Sequence, residues 1–571
     1  MTKQTSIDLD TYLADMKARQ LASWPEGLSR EIAYPLGERP LSEHLSHWAQ
    51  TRPDAPSIFF YGSEVSWAEL NAQANRFAAL LAARGLRKGD RVAVFMPNCP
   101  QFHIAFFGIL KAGLVHVPIS PLSTATEVEY VLNDTDATLI VTIDALVPIV
   151  ETAKGDTALR EILSTPLAAL IPENPTIHCP DSVMAPAKKP SGTTDFLAAL
   201  SQMPDAEISL GDLDSPAALN YTGGTTGMPK GCVHTQRDMV FTGAANWAVT
   251  SDREEGVSLT FFPEFWIAGE NMALIFPLMT GEPLVLLTRW DPLSVLQAIE
   301  AYRVTVFGMI VDGAIELMNR PDFKDFDLSS LTRVRVVSFV KKLDPDIRAR
   351  WNALTGTILA EASWGMTETH TSNTFTTDMQ DDDFDLKQQP VFVGLPLPEN
   401  EFVIRDFETG QILPPGSEGE ITMRSPGMLK SYWGKPGATA EAIRDGFLYT
   451  GDIGVLDEMG YLHYLGRRKE MLKVRGMSVF PAEIEATLGK HPGVQGSGVV
   501  GRADARSGQI PVAFVQPADP DLSAQALTDW LAERISKYKL PEIRLVDSLP
   551  MTATGKVRKA ELADWVENES N

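Results

Sequence analysis

The chain has 571 residues, of which 44% are hydrophobic and 22% are charged. That length exceeds what a single hydrophobic core usually spans, so we expect two or three domains of ordinary globular composition. Fifty lysines and arginines against 74 aspartates and glutamates give a formal net charge of −24. This excess of negative charge repels phosphate backbones and anionic lipid surfaces, which argues against nucleic acid as a partner.

The cysteines and the apolar runs set further limits. Cys99, Cys179 and Cys232 are far apart, which predicts neither a disulfide framework nor a zinc site. They favour a reducing compartment, so we expect a cytoplasmic protein in which each cysteine is a packing residue. The segment Met1–Gln20 lacks the apolar stretch of a signal peptide, and the chain has no apolar run long enough to predict integral membrane association.

Short apolar runs alternate with amphipathic stretches over most of the chain. The strand candidates, in chain order, are Arg91–Met96, Thr138–Thr142, Ala217–Thr222, Pro283–Leu287, Val304–Ile310 and Arg333–Phe339. The helix candidates are Trp67–Ala83, Ser294–Tyr302 and Asp344–Leu354. This alternation predicts an α/β fold, with a large N-terminal domain (residues 1–467) of doubly wound, mostly parallel sheets flanked by helices.

A smaller domain is predicted after Arg467. Residues 468–571 contain their own short strands and helices, which indicates an α+β domain with elements at Gly498–Gly501, Val512–Gln516 and Gln525–Lys537. No Gly/Ser-rich linker precedes this part of the chain. We therefore expect a hinge between packed bodies and a mobile C-terminal domain.

Two polar segments in the large domain predict surface structure. Pro172–Ser191 is rich in proline and poor in apolar residues, which is typical of a surface excursion. The acidic run Asp381–Asp383, with Asp385, predicts a solvated loop rather than a metal site, because nothing nearby supplies shaped ligands.

The most informative segment, Tyr221–Gly231, reads Tyr-Thr-Gly-Gly-Thr-Thr-Gly-Met-Pro-Lys-Gly and directly follows a strand candidate. Glycines let backbone N–H groups approach a ligand closely, threonine hydroxyls add donors, and Lys230 adds a positive charge. Ligands bind beyond the carboxyl ends of strands in open α/β sheets, so this loop suits the phosphates of a nucleotide. It lacks the spacing of a P-loop, and the alternative interpretation is a flexible polar turn.

Four further segments carry groups that suit a nucleotide. Ser363–Glu368 offers an indole that can stack on a purine, a hydroxyl for phosphate and a carboxylate for Mg²⁺. Tyr449–Asp452 places an acid after a tight turn, where it suits two ribose hydroxyls, and Gly466–Glu470 supplies guanidinium groups. Leu549–Val557 presents Lys556 on a short glycine-containing loop. Taken singly, such residues are as readily core aromatics, turn residues or solvated lysines.

In this order, the segments resemble those of one family, the acyl-adenylate-forming enzymes, which include acyl-CoA synthetases, amino-acid adenylation domains and beetle luciferases. The resemblance covers nearly the whole chain. It begins at Ser66–Leu70 with Asn75, continues through Leu110–Gly113 with Pro118, and runs to Lys556. Within the family, the chain most resembles an acyl-CoA synthetase of the fatty-acid–CoA ligase type.

The resemblance implies a site for ATP, Mg²⁺ and coenzyme A. It implies catalytic roles for Lys556, Thr225, Lys230 and Glu368, with Glu368 also holding the metal. It implies that Trp364 stacks on adenine and that Asp452 takes the ribose hydroxyls. The full set of nucleotide-binding positions that it implies is Thr222, Gly223, Gly224, Thr225, Thr226, Gly227, Lys230, Trp364, Gly365, Met366, Thr367, Asp452, Arg467 and Lys556.

The same resemblance assigns a hinge, a thiol path and an acyl pocket. Lys469 occupies the hinge position. The residues implied to approach coenzyme A are Lys473, Gly476 and Met477. The residues implied to line the acyl pocket are Phe265, Trp266, Met309, Val311, Phe339 and Val340.

Three departures from the family pattern bear on these roles. Trp266 stands where many relatives carry a histidine, so its indole can gate the thiol tunnel, stack on an aromatic acid or simply fill the pocket. The segment Val337–Leu343 replaces small residues, and Lys341 within it either meets a second substrate carboxylate or, as we favour, is exposed, because an unpaired buried lysine is costly. Gly224 replaces a common serine, which adenylation should survive.

The expected function is ATP-dependent activation of a medium- or long-chain aliphatic acid, or of an aromatic acid, to acyl-AMP, followed by transfer to coenzyme A. The alternative is a stand-alone adenylating enzyme that loads a separate carrier protein, and Glu264 keeps an amino-acid substrate open. A non-catalytic sensor of acids or nucleotides is disfavoured, because Lys556, Glu368, Asp452 and Arg467 are all present. Homodimers are common in the family.

Overall fold

The computed structural model of the protein describes residues 7–186, 188, 190–222, 228–250, 256–361, 363–388, 391–504, 506–552 and 555–568. Its α-helices, in chain order, are α1 (Leu9–Ala22), α2 (Leu41–Thr51), α3 (Trp67–Ala83), α4 (Pro100–Lys111), α5 (Ala125–Thr135), α6 (Val147–Ala153), α7 (Phe196–Ser201), α8 (Gln236–Ala248), α9 (Ile267–Glu270), α10 (Phe276–Thr280), α11 (Pro292–Tyr302), α12 (Val311–Asn319), α13 (Pro345–Thr355), α14 (Phe384–Lys387), α15 (Pro436–Ala442), α16 (Pro481–Gly489), α17 (Ala524–Ala532) and α18 (Lys559–Asn568).

The strands of the described residues, in chain order, are β1 (Pro56–Phe60), β2 (Ser63–Ser66), β3 (Arg91–Phe95), β4 (Val115–Ile119), β5 (Leu139–Ile143), β6 (Glu161–Thr165), β7 (Thr194–Asp195), β8 (Pro216–Tyr221), β9 (Gly231–Thr235), β10 (Ser258–Thr260), β11 (Leu284–Leu286), β12 (Val306–Ile310), β13 (Arg333–Val337), β14 (Leu359–Glu361), β15 (Gly365–Met366), β16 (Thr371–Ser372), β17 (Thr374–Phe375), β18 (Val391–Pro396), β19 (Glu401–Arg405), β20 (Gly419–Arg424), β21 (Ser431–Tyr432), β22 (Ile443–Arg444), β23 (Phe447–Leu456), β24 (Leu462–Arg467), β25 (Leu472–Val474), β26 (Met477–Val479), β27 (Val494–Asp504), β28 (Gly508–Pro517) and β29 (Glu542–Leu545).

Two largely parallel sheets form the body of the large N-terminal domain. One has the strand order β21-β9-β8-β4-β3-β5-β6-β7, and the other has the order β14-β13-β12-β10-β11-β1-β2. Strand β5 is a continuous apolar run that is buried at every position, as expected for a parallel strand covered on both faces. Helix α4 is likewise buried along its whole length. The prediction of an α/β fold with doubly wound sheets is confirmed.

Two further sheets are mainly antiparallel. Strands β17 to β20 and β22 to β24 form one of them, in which the long strands β23 and β24 pair with each other. The C-terminal sheet has the order β26-β25-β28-β27, with β29 added in parallel beside β28. The prediction of mostly parallel sheets does not extend to these two, because an alternation of strands and helices does not fix how neighbouring strands pair.

Most predicted elements lie within two residues of the observed ones. Trp67–Ala83 is the whole of α3, whose first turn is fixed by a capping box between Ser66 and Glu69. One helix was predicted too long: Gln525–Lys537 is a helix only as far as Ala532. The predicted C-terminal strands were too short, because β27 and β28 extend well beyond the apolar residues at their centres.

The acidic run after strand β17 neutralises a buried arginine. Arg348, on α13, donates hydrogen bonds to Asp385 Oδ1 at 2.8 Å and Oδ2 at 2.7 Å, and to Asp383 Oδ1 at 2.8 Å. Both Arg348 and Asp385 are buried. The prediction of a solvated loop was therefore wrong for Asp385, although no group of residues suited to a metal is found in the described part of the chain.

Helix α1 packs against the sheet that contains β23 and β24. Its residues Tyr12 and Met16 share a hydrophobic cluster with Trp364 and Phe402. Arg19 donates a hydrogen bond of 2.8 Å to the backbone carbonyl of Glu458 in the turn between β23 and β24. The first helix of the chain is thus part of the core beneath this sheet.

The cysteines have the predicted packing role, since Cys99 and Cys232 are buried, Cys179 is half-buried and all three are free thiols. Among the residues that the structure describes, none of the helices combines the length and the apolar character needed to cross a lipid bilayer.

Candidate active site

The Gly/Thr-rich loop, residues 222–230, connects strands β8 and β9, which form a hairpin. The Thr222 amide donates to the Lys230 carbonyl at 3.0 Å, and the Lys230 amide donates to Thr222 Oγ1 at 3.3 Å. These two bonds close the base of the loop. The predicted phosphate contacts of Gly223, Gly224, Thr225, Thr226 and Gly227 lie outside the described residues and stay predictions.

Tyr432 connects two of the predicted catalytic residues. Its hydroxyl donates to Glu368 Oε1 at 2.9 Å, and the Lys230 ammonium lies 4.0 Å from the centre of its ring. Burial and the neighbouring Glu368 carboxylate hold the pKa of Tyr432 far above its usual range, so it stays a neutral donor. Tyr432 therefore contacts Lys230 with its ring and Glu368 with its hydroxyl, which brings the predicted catalytic cation and carboxylate to one side chain near the base of the loop.

The segment before Glu368 is fixed by close backbone contacts. Gly365 and Met366 form β15, which pairs with β16. A methyl group at Gly365 would come within 1.8 Å of the Thr371 carbonyl oxygen, so only glycine fits there. The Thr367 carbonyl accepts a hydrogen bond of 2.8 Å from His234 Nε2, which ties this segment to β9 and hence to the loop base.

Asp452 is a buried carboxylate at the centre of a polar cluster that includes the exposed Arg467. The Trp364 indole N–H donates to its Oδ2 at 2.9 Å, and Arg467 Nε lies 2.8 Å from its Oδ1. Asp452 and Arg467 are register partners on β23 and β24, and Arg467 also donates to the Thr450 carbonyl at 3.1 Å. The structure thus brings together the indole that the resemblance assigned to adenine, the carboxylate that it assigned to the ribose hydroxyls, and a guanidinium beside that carboxylate.

Burial raises the pKa of Asp452 to about 6, although the Arg467 guanidinium and the Trp364 N–H both lower it. We therefore expect kcat/KM for ATP to fall as the pH drops through about 6, because protonation removes a hydrogen-bond acceptor from the predicted ribose site. Trp364→Phe keeps a ring but removes a donor to the ionised form, so it should move this acid limb to higher pH. A pH profile of kcat/KM for both proteins tests this, and equal midpoints would contradict it.

Lys556 is presented on a closed loop of the C-terminal domain. The Thr552 amide donates to the Lys556 carbonyl at 2.7 Å, and the Lys556 amide donates to Thr552 Oγ1 at 3.0 Å. The ammonium lies 5.4 Å from the centre of the Phe339 ring. Desolvation by the surrounding protein lowers the pKa of the Lys556 ammonium, and the positive charge of Arg467 lowers it further. The Asp452 carboxylate raises it. Lys556 therefore lies where the C-terminal domain faces the large domain, near Phe339 and the Asp452 cluster. This region between the two domains is here called the cleft.

Aromatic side chains line the approach to Lys556. Phe262, Trp266 and Phe339 form a row with ring centres 6.2 and 6.1 Å apart. Phe265 is half-buried beside this row, whereas Met309 and Val311 are fully buried behind it. An apolar wall of this kind suits an apolar acyl group, while the acyl-pocket assignments of the single residues stay predictions.

Two expectations about charged residues change with the structure. Glu264 has no exposed surface, and its carboxylate lies 2.5 Å from His103 Nε2 in the core, where a substrate amine would have no access. Lys341, which we expected to be exposed, is only 7% exposed. Its ammonium contacts neither a substrate pocket nor solvent but backbone carbonyls of the C-terminal domain, beginning with that of Gly489 at 3.0 Å. The expectation of exposure was wrong.

The predicted coenzyme A positions form an exposed hairpin. Strands β25 and β26 are joined by Arg475 and Gly476, both with positive φ, and Gly476 has a φ of +81°. Lys473 and Met477 flank this turn and are exposed, with Lys473 Nζ donating to Ser478 Oγ at 3.0 Å. In this domain orientation the hairpin is open to solvent while Lys556 faces the cleft.

Sequence reasoning missed Tyr432, His234 and the Thr450 carbonyl as site residues. Tyr432 is neutral and lies between Ser431 and Trp433, so no charge pattern marked it. His234 follows Lys230 by four positions on β9, and its place beside the loop was the one signal that would have found it. A backbone carbonyl carries no sequence signal at all.

Comparison with known proteins identifies the family. A sequence model described as AMP-binding enzyme matches residues 45–433, and one described as AMP-binding enzyme C-terminal domain matches residues 483–556. The chain belongs to the AMP-binding enzyme family. ATP, Mg²⁺ and coenzyme A are the substrates and cofactor expected of this family, and an AMP-forming acid:CoA ligase is the activity that fits the site and the relatives.

Similar proteins match more than nine-tenths of the chain. The long-chain-fatty-acid–CoA ligase of Bacillus subtilis is 31% identical over 561 residues, which cover 95% of this chain and 97% of that protein. A feruloyl-CoA synthase of Amycolatopsis is 29% identical over 528 residues, covering 91% and 99%. The solved anthranilate CoA ligase AuaEII, in complex with anthranoyl-AMP, has a TM-score of 0.80 and 26% identity, covering 93% and 98%. This AMP-binding enzyme is therefore similar to ligases named for both aliphatic and aromatic acids.

Proposed function

We propose that this protein activates an apolar carboxylic acid, either a medium- or long-chain aliphatic acid or an aromatic one, to acyl-AMP and then transfers the acyl group to coenzyme A. The observation that carries the proposal is the convergence of Glu368, Asp452, Arg467 and Lys556 at the end of the aromatic row. Three of these groups come from the large domain and one comes from the C-terminal domain. Such a cluster suits a nucleotide placed between the two domains.

The residues present fit ATP and its metal ion. Asp452 is a buried carboxylate beside a guanidinium, which suits two ribose hydroxyls, and Trp364 beside it would face the base. Glu368 would hold Mg²⁺, which when bound would neutralise charge on the phosphates. Lys230 at the loop base, together with the predicted donors of Thr222–Gly227, would bind the remaining phosphate oxygens.

In the first step the substrate carboxylate attacks the α-phosphorus of ATP in line, the acyl O–P bond forms and pyrophosphate leaves. Two anions approach each other in this step, so positive groups must offset their repulsion. Lys556 would supply a preorganised cation where negative charge develops, at the end of the aromatic row.

In the second step the thiol of coenzyme A attacks the acyl carbon and AMP leaves. We propose that the chain divides at residues 467/468 and that the C-terminal domain rotates about Lys469 between the two steps. Rotation would withdraw Lys556 and bring Lys473, Gly476 and Met477 to the cleft in its place. The exposure of their hairpin while Lys556 faces the cleft supports this alternation.

The acid is proposed from the wall that it would meet. Phe262, Trp266 and Phe339 are apolar and aromatic, and the charged group found beside them in the described part of the chain is the Lys556 ammonium, 5.4 Å from the centre of the Phe339 ring. Trp266 lies where it would end the acyl pocket or stack on an aromatic acid. The names of the relatives include both kinds of apolar acid.

We expect coenzyme A-dependent AMP release with apolar acids and not with small polar ones. The test is a panel of octanoate, palmitate, benzoate, ferulate, malonate and glycine, with AMP and acyl-CoA measured for each acid. Pyrophosphate exchange with an apolar acid but no acyl-CoA would instead indicate loading of a carrier protein. Release with malonate or glycine alone would contradict the proposed acid class, and no release with any acid would contradict the function itself.

A further inference from the structure

The segment Phe339–Lys342, here called the docking segment, lies beneath the C-terminal domain. Lys341 Nζ donates to the carbonyl oxygens of Gly489 at 3.0 Å, Val494 at 3.3 Å and His491 at 3.4 Å. An ammonium group has three N–H donors, so these three acceptors satisfy it completely. All three acceptors belong to the C-terminal domain, whereas Lys341 belongs to the large domain.

The position of these acceptors explains why a cation is stable there. Gly489 is the last residue of α16, where carbonyl groups lack partners within the helix and the helix dipole is negative. Burial lowers the pKa of Lys341, and the nearby Asp344 and Asp312 carboxylates raise it. A buried ammonium without partners is costly, so this contact stabilises one orientation of the C-terminal domain and is lost if that domain rotates.

Close packing surrounds the ammonium. A methyl group at Gly496 on β27 would come within 2.1 Å of Val340 Cγ1, and one at Gly489 would come within 2.5 Å of Lys342 Cγ. The Phe339 ring lies next to Gly555 and 5.4 Å from the Lys556 ammonium. Each residue of the docking segment therefore contacts the C-terminal domain: Phe339 beside Gly555 and Lys556, Val340 beside Gly496, Lys341 at three backbone carbonyls and Lys342 beside Gly489.

We propose that Lys341 is a positioning residue for the acyl-adenylate step. By binding the end of α16, it holds the C-terminal domain in the orientation in which Lys556 faces the Asp452 cluster. This inference rests on the proposed function, because it assigns the docked orientation to the first of two half-reactions. Lys341 touches neither nucleotide nor acid in this arrangement and acts through the placement of Lys556.

The expected consequence is an unequal effect on the two half-reactions. Lys341→Met keeps an unbranched side chain but removes the charged hydrogen bonds, so pyrophosphate exchange should fall about tenfold to a hundredfold. Conversion of supplied acyl-AMP to acyl-CoA should not fall, because it needs the undocked orientation. Lys387→Met is the matched control, since Lys387 pairs with the exposed Asp382 on the surface of the same domain.

A second set of variants tests the same contact from the other domain. Gly496→Ala should lower pyrophosphate exchange as Lys341→Met does, because its methyl group meets Val340 Cγ1. Adding Val340→Ala should restore exchange, because it removes the atom at 2.1 Å and leaves Leu549 Cδ1, the end of a flexible side chain, at 3.2 Å and Val340 Cβ at 3.7 Å. Val340→Ala alone serves as the reference. If Val340→Ala in the large domain restores the exchange activity lost through Gly496→Ala in the C-terminal domain, a general loss of stability cannot be the cause.

A distance measurement separates this inference from the proposed function. Spin labels on the exposed residues Leu122 and Leu545, in a Cys179→Ser background, report domain orientation without substrate. Lys341→Met should broaden the distance distribution, whether or not any acid is turned over. An unchanged distribution, or an equal fall in both half-reactions, would overturn the role of Lys341. A broadened distribution with no adenylation of any acid would instead overturn the proposed function alone.

Discussion

Replacing Lys556 with alanine should lower the rate of acyl-AMP formation by about 10²–10³, the usual cost of removing one preorganised charge-stabilising group. The reason is the repulsion between the substrate carboxylate and the triphosphate, which the ammonium beside Phe339 is placed to offset. Conversion of supplied acyl-AMP to acyl-CoA should stay near the rate of the unaltered protein, since the leaving AMP needs no such cation. Pyrophosphate exchange and thioester formation measure the two steps separately.

Lys539→Ala is the matched control for this prediction. Lys539 lies in the same C-terminal domain, and its ammonium is 2.7 Å from Glu483 Oε1, away from the cleft. Its loss removes one lysine and one ion pair but no group near the proposed nucleotide, so neither half-reaction should change. If Lys556→Ala reduced both half-reactions alike, the assignment of one domain orientation to each step would be wrong.

Replacing Asp452 with alanine should lower kcat/KM for ATP by about a hundredfold or more, because hydrogen bonds to a charged acceptor are worth roughly 1.5–3 kcal/mol each and two ribose hydroxyls would lose theirs. The change also leaves Arg467 without the carboxylate that lies 2.8 Å from its Nε. The KM for the acid should change far less. Steady-state kinetics with ATP and with 2′-deoxy-ATP test this directly, since the unaltered protein should discriminate between them and the variant should not.

Asp457→Asn provides the comparison for that experiment. Asp457 is at the turn of the same β23–β24 hairpin, where its Oδ2 lies 3.0 Å from His463 Nε2 and its Oδ1 accepts two backbone N–H groups at 2.9 Å. Asparagine keeps an acceptor for these groups, so ATP kinetics should be unaltered. Continued discrimination against 2′-deoxy-ATP by Asp452→Ala would place the ribose elsewhere.

The parts of the site that the sequence predicts are those built from neighbours in the chain. Thr222 and Lys230 close one hairpin, and Asp452 and Arg467 are register partners in another, so short motifs already contain both members of each pair. Apolar runs such as Leu139–Ile143 likewise identify buried strands without further information. Local pattern is sufficient wherever the partners are joined by a tight turn.

The parts that the sequence does not predict depend on distant partners. Tyr432 and Glu368 are 64 residues apart, and Lys341 and Gly489 are 148 residues apart. A buried lysine needs partners, and those of Lys341 are backbone carbonyls at and just beyond the end of α16, which come together only in the folded domain. The sequence does not predict the antiparallel pairing in the sheet that contains β23 and β24 for the same reason, because tertiary contacts decide how those strands pair.

Helix α1 packs against the proposed nucleotide site. Tyr12 and Met16 share one apolar cluster with Trp364, whose indole is bonded to Asp452. Deleting α1, or grafting the cleft onto another scaffold without it, would therefore loosen the floor on which the adenine is proposed to rest. The proposed nucleotide site therefore depends on residues at the start of the chain. Removal of those residues should weaken ATP affinity before it prevents folding.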